Sequence, residues 1–81
     1  MNIVIVGTGY VGLVTGVGLA ELGNTVSFID LDTEKIKKLK KKKLPFFEPD
    51  LDKYFSKIEN FESLSFHSDY EDIDWDIVEV V

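Results

Sequence analysis

The first residues of this chain equipped for chemistry are three glycines. Gly7-Thr8-Gly9-Tyr10-Val11-Gly12 spells G-x-G-x-x-G, a loop that holds phosphates when it leaves a strand and opens a helix. Gly7 would allow the tight turn, Gly9 would let the backbone approach a pyrophosphate, and Gly12 would let helix and strand pack closely. Unpaired N–H groups at the helix start and the positive end of its dipole then face the anion. The competing reading is a glycine-rich turn that binds nothing, yet three glycines at this spacing are costly where nothing must approach. Asp30 lies 18 residues beyond Gly12, close to the ~20 of a dinucleotide fingerprint. A carboxylate there can accept from both ribose hydroxyls of an adenosine and repels a 2′-phosphate, which favours NAD over NADP. The plainer role for Asp30 is that of a turn residue. Asp32 is the rival carboxylate, but it falls after the strand and suits a helix cap better.

Such a loop needs a strand before it, a helix after it and a second strand ending at the acid. Asn2–Val6, NIVIV, is a short β-branched run suited to a strand buried on both faces. Residues 10–22 read as a helix on the apolar marks Val11, Val14, Leu19 and Leu22, with Gly23-Asn24 as its stop. Gly16 and Gly18 inside it, each costing about 1 kcal/mol against alanine, read as close packing of the helix on the sheet. Thr25–Ile29, TVSFI, is the second strand, and residues 33–42 form a basic helix capped by Asp32 or Thr33. A turn over 44–49 leads into a third helix with Pro49 in its first turn and Leu51, Tyr54, Phe55 and Ile58 on one face. Residues 64–66 make a short strand, and 76–81, DIVEVV, a fourth. Helices between buried strands imply right-handed crossovers and a parallel sheet. The expected class is α/β: a partial Rossmann fold, with a parallel sheet of about four strands and flanking helices.

Composition narrows the partners. Eighty-one residues make one domain with a marginal core. A net charge of -6 argues against nucleic acid as a partner. No apolar stretch approaches the roughly 20 residues of a membrane span, and MNIVIVGTGY lacks the basic segment that opens a secretory signal. The absence of cysteine removes disulfides, thiolate metal sites and thiol nucleophiles, and one histidine leaves little for zinc. The expectation is a cytoplasmic protein with no nucleic-acid and no membrane partner. Seven of the nine lysines fall between positions 35 and 43, whereas positions 59 to 79 hold eight acids and no lysine. KIKKLKKKK reads as a solvated helix face with Ile36 and Leu39 turned inward. The alternative is a docking patch for an anion or an acidic partner, including the acidic half of this chain or of a second copy.

Three segments carry a family resemblance: MNIVIVGTGYVGLVTGVGLAELGNTVSFIDLDTEKI, LPFFEPDL and FHSDYED. Together they resemble the N-terminus of the UDP-glucose/GDP-mannose 6-dehydrogenase family over nearly all of the chain. The GTGYVGLVTG segment is far more specific than a bare glycine fingerprint. The resemblance implies NAD as cofactor, held by Gly7, Thr8, Gly9, Tyr10, Val11, Gly12 and Asp30 (FAD uses such a loop too, so the choice leans on the family). It also implies a contact from the basic residue five positions after the aspartate, Lys35. The family's P-[IF]-[YF]-E-P-G-L loop falls on Pro45, Phe46, Phe47, Glu48, Pro49, Asp50 and Leu51, with Asp50 in place of the usual glycine. Gly18 stands where a larger small residue is common, the stretch between Asp69 and Asp76 is short, and Glu79 falls in a strand that is apolar in the family.

The implied reaction of the intact enzyme oxidises the C6 alcohol of a nucleotide sugar to a carboxylate and reduces two NAD. It passes through a thiol-linked intermediate, and these residues hold no thiol. Residues 1–81 are accordingly expected to be the N-terminal part of an NAD-binding domain, without the catalytic and sugar-nucleotide parts. The expected partners are NAD, a nucleotide sugar in the full-length parent only, and a second copy through an open strand edge. Two other classes stay open: a non-catalytic adenine-nucleotide module and a self-associating fragment. His67 reads as structural rather than proton-transferring, and Tyr70 and Trp75 as cover for the sheet end. Glu48 reads as the cap of the third helix or as a hydrogen-bonding group for substrate.

Overall fold

The computed structural model describes residues 1–46, 48–56, 61–75 and 79–80. The elements run β1 (Asn2–Val6), α1 (Tyr10–Glu21), β2 (Thr25–Ile29), α2 (Thr33–Lys40), α3 (Pro49–Ser56), β3 (Leu64–His67) and β4 (Glu79–Val80). Among the described residues they form one parallel sheet in the order β3-β2-β1-β4, in which β4 contributes a two-residue pairing with β1. The α/β class, the parallel sheet and the flanking helices are as expected.

The burial pattern explains the order. Ile3, Val4 and Ile5 are all buried, which suits a central strand covered on both faces. On one face Ile3 and Ile5 join Val26, Phe28, Leu64 and Phe66 beneath Leu13, Val17 and Ala20 of α1, Ile36 and Leu39 of α2, and Phe55 of α3. The Phe28 and Phe66 rings stack with centroids 5.2 Å apart, and Phe55 meets Phe66 edge-on at 6.4 Å. The other face holds a smaller cluster of Val4, Ile29 and Ile73. At Ser27 of β2 and Ser65 of β3 it is polar instead, and the Ser65 hydroxyl donates to Ser27 Oγ at 2.9 Å.

Helix α1 forms where expected, and of the apolar residues that marked it Leu19 packs against the core. Leu13, Gly16, Val17 and Ala20 are buried, whereas Val11, Val14 and Leu22 are 76%, 42% and 81% exposed. This helix is apolar around its circumference, so a 3.6-residue period selects no side. Gly18 is corrected: that position is exposed and an added Cβ would meet nothing within 4 Å, so of the two only Gly16 is a packing glycine.

Helices α1 and α2 end in the same way. The N–H groups of Gly23 and Asn24 bond the carbonyls of Ala20 and Leu19, and those of Lys42 and Lys43 bond Leu39 and Lys38. This is the Schellman pattern, which needs a left-handed residue just past the helix. Gly23 (φ 97) supplies it for α1, and Lys42 (φ 61) for α2, so α2 closes at Lys40 rather than at residue 42. In α3, Leu51 and Phe55 are buried as expected. Phe47, Ile58, and positions 76–78 and 81 of the expected fourth strand lie outside the described residues. The described part of the β3–β4 connection carries a single 3₁₀ turn, Tyr70–Asp72.

Candidate nucleotide-binding loop and its carboxylate

The parallel register sets Val6 beside Ile29, so the residues leaving β1 and β2 emerge side by side at the carboxyl ends of the strands. Gly7 turns there with φ 101, and its N–H donates to the Ile29 carbonyl at 2.7 Å. A side chain would be strained at that φ. Gly9 occupies the N-cap of α1 with no side-chain cap, and its carbonyl receives the Leu13 N–H at 3.0 Å. The first-turn N–H groups therefore have no intrahelical partner. A Cβ at Gly9 would meet nothing within 4 Å. At Gly12 it would stand 3.0 Å from the Gly7 carbonyl oxygen and 3.4 Å from Ile5 Cγ2, the close helix–strand approach anticipated for that glycine.

Thr8 departs from its neighbours in the loop. Its side chain is buried, and both its donors point at one oxygen of Asp30: the hydroxyl at 2.7 Å and the backbone N–H at 3.1 Å from Oδ2. The other oxygen, Oδ1, accepts the Asp32 N–H at 2.9 Å. Partial burial is the largest single influence on Asp30 and pushes its pKa upward. The hydrogen bonds from Asp32 N–H, Thr8 hydroxyl and Thr8 N–H, with the charge of Lys35, outweigh it and leave the pKa below the ordinary 3.8. Asp30 is a fixed anion at neutral pH, suited to accepting hydrogen bonds rather than to moving protons.

The remaining sequence candidates divide. Lys35, on the first turn of α2, is half-buried and acts on the Asp30 carboxylate through its charge. Tyr10 and Val11 are 52% and 76% exposed at the mouth of the loop, with the Tyr10 ring 6.3 Å from that of Phe46. Asp32 is the cap of α2, accepting from the N–H groups of Glu34 and Lys35. Glu48 takes the N-cap position of α3 through its carbonyl, which receives Asp52 N–H at 2.9 Å. His67 Nε2 lies 3.0 Å from Ser65 Oγ. Tyr70 and Trp75 stack on each other at 5.8 Å and stay exposed. Ile73, which sequence reasoning passed over, is the residue buried against the sheet. The Thr8–Asp30 bond was missed too, since a threonine in a glycine loop carries no sign of which acceptor it will find. Among the described residues no cluster of His, Cys, Asp or Glu could hold a metal, and no helix is long and apolar enough to cross a membrane.

The strand order β3-β2-β1-β4 is the first part of the doubly wound order, in which dinucleotides bind beyond the carboxyl ends of the strands where the order reverses. Fold and loop together define a dinucleotide-binding domain of the Rossmann kind. The profile of the UDP-glucose/GDP-mannose dehydrogenase family, NAD binding domain, matches residues 1–80, and the chain belongs to this family, whose cofactor at this domain is NAD. The UDP-glucose 6-dehydrogenase of Rickettsia bellii is 50% identical over 70 residues, which is 86% of this chain and 16% of that protein. UDP-glucose 6-dehydrogenase YwqF of Bacillus subtilis is 48% identical over 71 residues, 88% of this chain and 16% of that protein. The uncharacterized protein MJ1054 of Methanocaldococcus jannaschii is 43% identical over 79 residues, 96% of this chain and 9% of that protein. The chain thus spans about a sixth of the length of the named dehydrogenases it matches.

Proposed function

We propose that Gly7, Thr8, Gly9, Tyr10, Val11, Gly12, Asp30 and Lys35 hold the adenosine diphosphate part of NAD. We further propose that residues 1–81 are the N-terminal part of the NAD-binding domain of a cytoplasmic nucleotide-sugar 6-dehydrogenase. The observation that carries this is the uncapped start of α1 at Gly9, open to solvent and beside an anionic Asp30. Residues of this kind fit the group. The first-turn N–H groups face a pyrophosphate, the Asp30 carboxylate receives a ribose hydroxyl, and Lys35 acts on that carboxylate through its charge. Bound NAD supplies the hydride acceptor. The protein's own part is to bind and orient the adenosine end and to disfavour a 2′-phosphate.

The names of the relatives support UDP-glucose as the substrate, oxidised at C6 to the carboxylate of UDP-glucuronate with two NAD reduced. The sugar nucleotide belongs, in this reading, to the longer protein. A second copy pairing through an open strand edge belongs instead to residues 1–81 by themselves, because β3 and β4 form the edges of the described sheet and unpaired edges invite a further strand.

The test is a pair of variants measured by calorimetric titration with NAD. Gly9→Val places its side chain in open space at φ -74, so the chain should keep its fold and lose binding. Replacing Lys40, Lys41, Lys42 and Lys43 together by glutamine should leave binding nearly intact, because these lysines lie at the far end of α2. Retained binding in Gly9→Val with loss in the lysine variant would move the phosphate site to the lysine run.

A further inference from the structure

We propose that Thr8 is a positioning residue for NAD: its hydroxyl and N–H hold the Asp30 carboxylate in the orientation that receives the adenosine ribose. Thr8 thereby sets both the affinity for NAD and the discrimination against NADP. This rests on the reading of Asp30 as the ribose acceptor.

The geometry is specific to a threonine or serine. Thr8 is 1% exposed, the one polar side chain among the described residues buried to that degree. Its hydroxyl reaches Asp30 Oδ2 at 2.7 Å and its N–H reaches the same oxygen at 3.1 Å. With Asp32 N–H on Oδ1, three of roughly four acceptor directions of the carboxylate are taken by the protein. A short aspartate side chain pinned at both oxygens cannot rotate, so the ligand meets an acceptor already in place, and the cost of ordering it is met in folding. Both Thr8 donors come from the buried side, which leaves the exposed side of the carboxylate to the ligand. Valine has the shape of threonine without the donor, and serine has the donor without the methyl, so the two variants separate hydrogen bonding from packing.

The charge that acts on Asp30 is that of Lys35 on α2; Asp32 of its own turn caps α2 with its side chain, and from β3 the His67 carbonyl accepts the Asp30 N–H at 3.0 Å. Asp72 stands 4.0 Å from His67 Nδ1. Measuring every variant also in a His67→Gln background controls for that neighbouring pair.

The experiment uses the 81-residue chain and two readouts. The first is the Asp30 carboxyl carbon shift followed by NMR against pH without ligand. The second is calorimetric binding of NAD and NADP across the same pH range. In Thr8→Val, Asp30 should titrate at higher pH, and NAD should bind roughly tenfold more weakly, the scale of one charge-assisted hydrogen bond. The acid limb of binding should move up in pH, and the NAD-to-NADP ratio should narrow. Thr8→Ser should restore wild-type behaviour to within about twofold. Thr8→Ala is carried alongside, with melting curves, so that a misfolded valine variant does not end the test. A Thr8→Val chain with the wild-type acid limb and cofactor ratio overturns the proposal, as does Thr8→Ser failing to the same extent as Thr8→Val. The underlying reading fails separately: Asp30→Ala with unchanged NAD affinity, or a wild-type chain that binds NAD and NADP alike, sinks the ribose assignment itself.

Discussion

An alanine at Gly16 would drive its Cβ into the Phe28 ring and to 2.9 Å from Ile5 Cδ1, whereas two residues on, at Gly18, it would meet nothing within 4 Å. The two glycines should therefore respond in opposite directions. Gly16→Ala should lose about 1–3 kcal/mol through overpacking. Gly18→Ala should gain roughly 0.5–1 kcal/mol by restraining the unfolded chain and favouring the helix. Urea denaturation of both variants checks the pair, and equal effects would mean that α1 is docked by a different face. Asp30 makes a second residue-scale prediction. Its folded pKa lies below the ordinary value, so the folded chain releases this proton more readily than the unfolded one. The resulting stabilisation is fully present above the ordinary carboxylate range and is lost as pH falls through the folded pKa. Asp30→Asn should flatten the acid limb of the stability curve and leave the alkaline limb unchanged, as read by melting temperature against pH.

Helix α2 is held at both ends by local chemistry. Asp32 caps its start, accepting Glu34 N–H at 3.1 Å and Lys35 N–H at 3.3 Å, so Asp32→Ala should cost about 1 kcal/mol. Its far end places Lys42 in the left-handed region at φ 61, where a non-glycine residue costs roughly 1–2 kcal/mol. The Lys42 ammonium over the Phe61 ring, 4.8 Å from its centroid, returns part of that cost. Lys42→Gly should be neutral to mildly stabilising by melting temperature, and a clear loss would mean that the ring contact dominates. The same two helices show what could be read in advance. NIVIV and TVSFI revealed the strands, and Asp32 was one of two adjacent candidates for a cap, because each is a short-range pattern. The inward face of α1 was not legible: Val11, Val14 and Leu22 are as apolar as Leu13, Val17 and Ala20, and only the sheet beneath decides between them. Gly12 could be assigned to close packing from the loop pattern. Gly16 and Gly18, identical as letters, could be told apart only once the Phe28 ring lay against one of them. The link between Thr8 and Asp30 spans 22 positions of sequence and exists only when β1 and β2 are paired.

For the molecule as a whole, every group assigned to the cofactor lies within the first 35 of 81 residues, and the chain contains no cysteine. Mixed with NAD and UDP-glucose, it should produce no NADH, and ADP-ribose should bind about as well as NAD. Enzyme-proportional absorbance growth from a preparation free of any longer dehydrogenase would falsify that division of labour. The position of Phe28 has a further consequence for how the cradle comes into being. Its ring lies between Gly16 of α1 and the stacked Phe66 of β3, so the helix that presents the loop is braced by a strand that begins 43 residues after the helix ends. On the ribosome the cofactor groups emerge first and their brace emerges later. A strand–helix–strand unit alone buries too little to persist in water. NAD should therefore leave stalled nascent chains open to protease until Leu64 and Phe66 have cleared the exit tunnel, and protect them from that length onward.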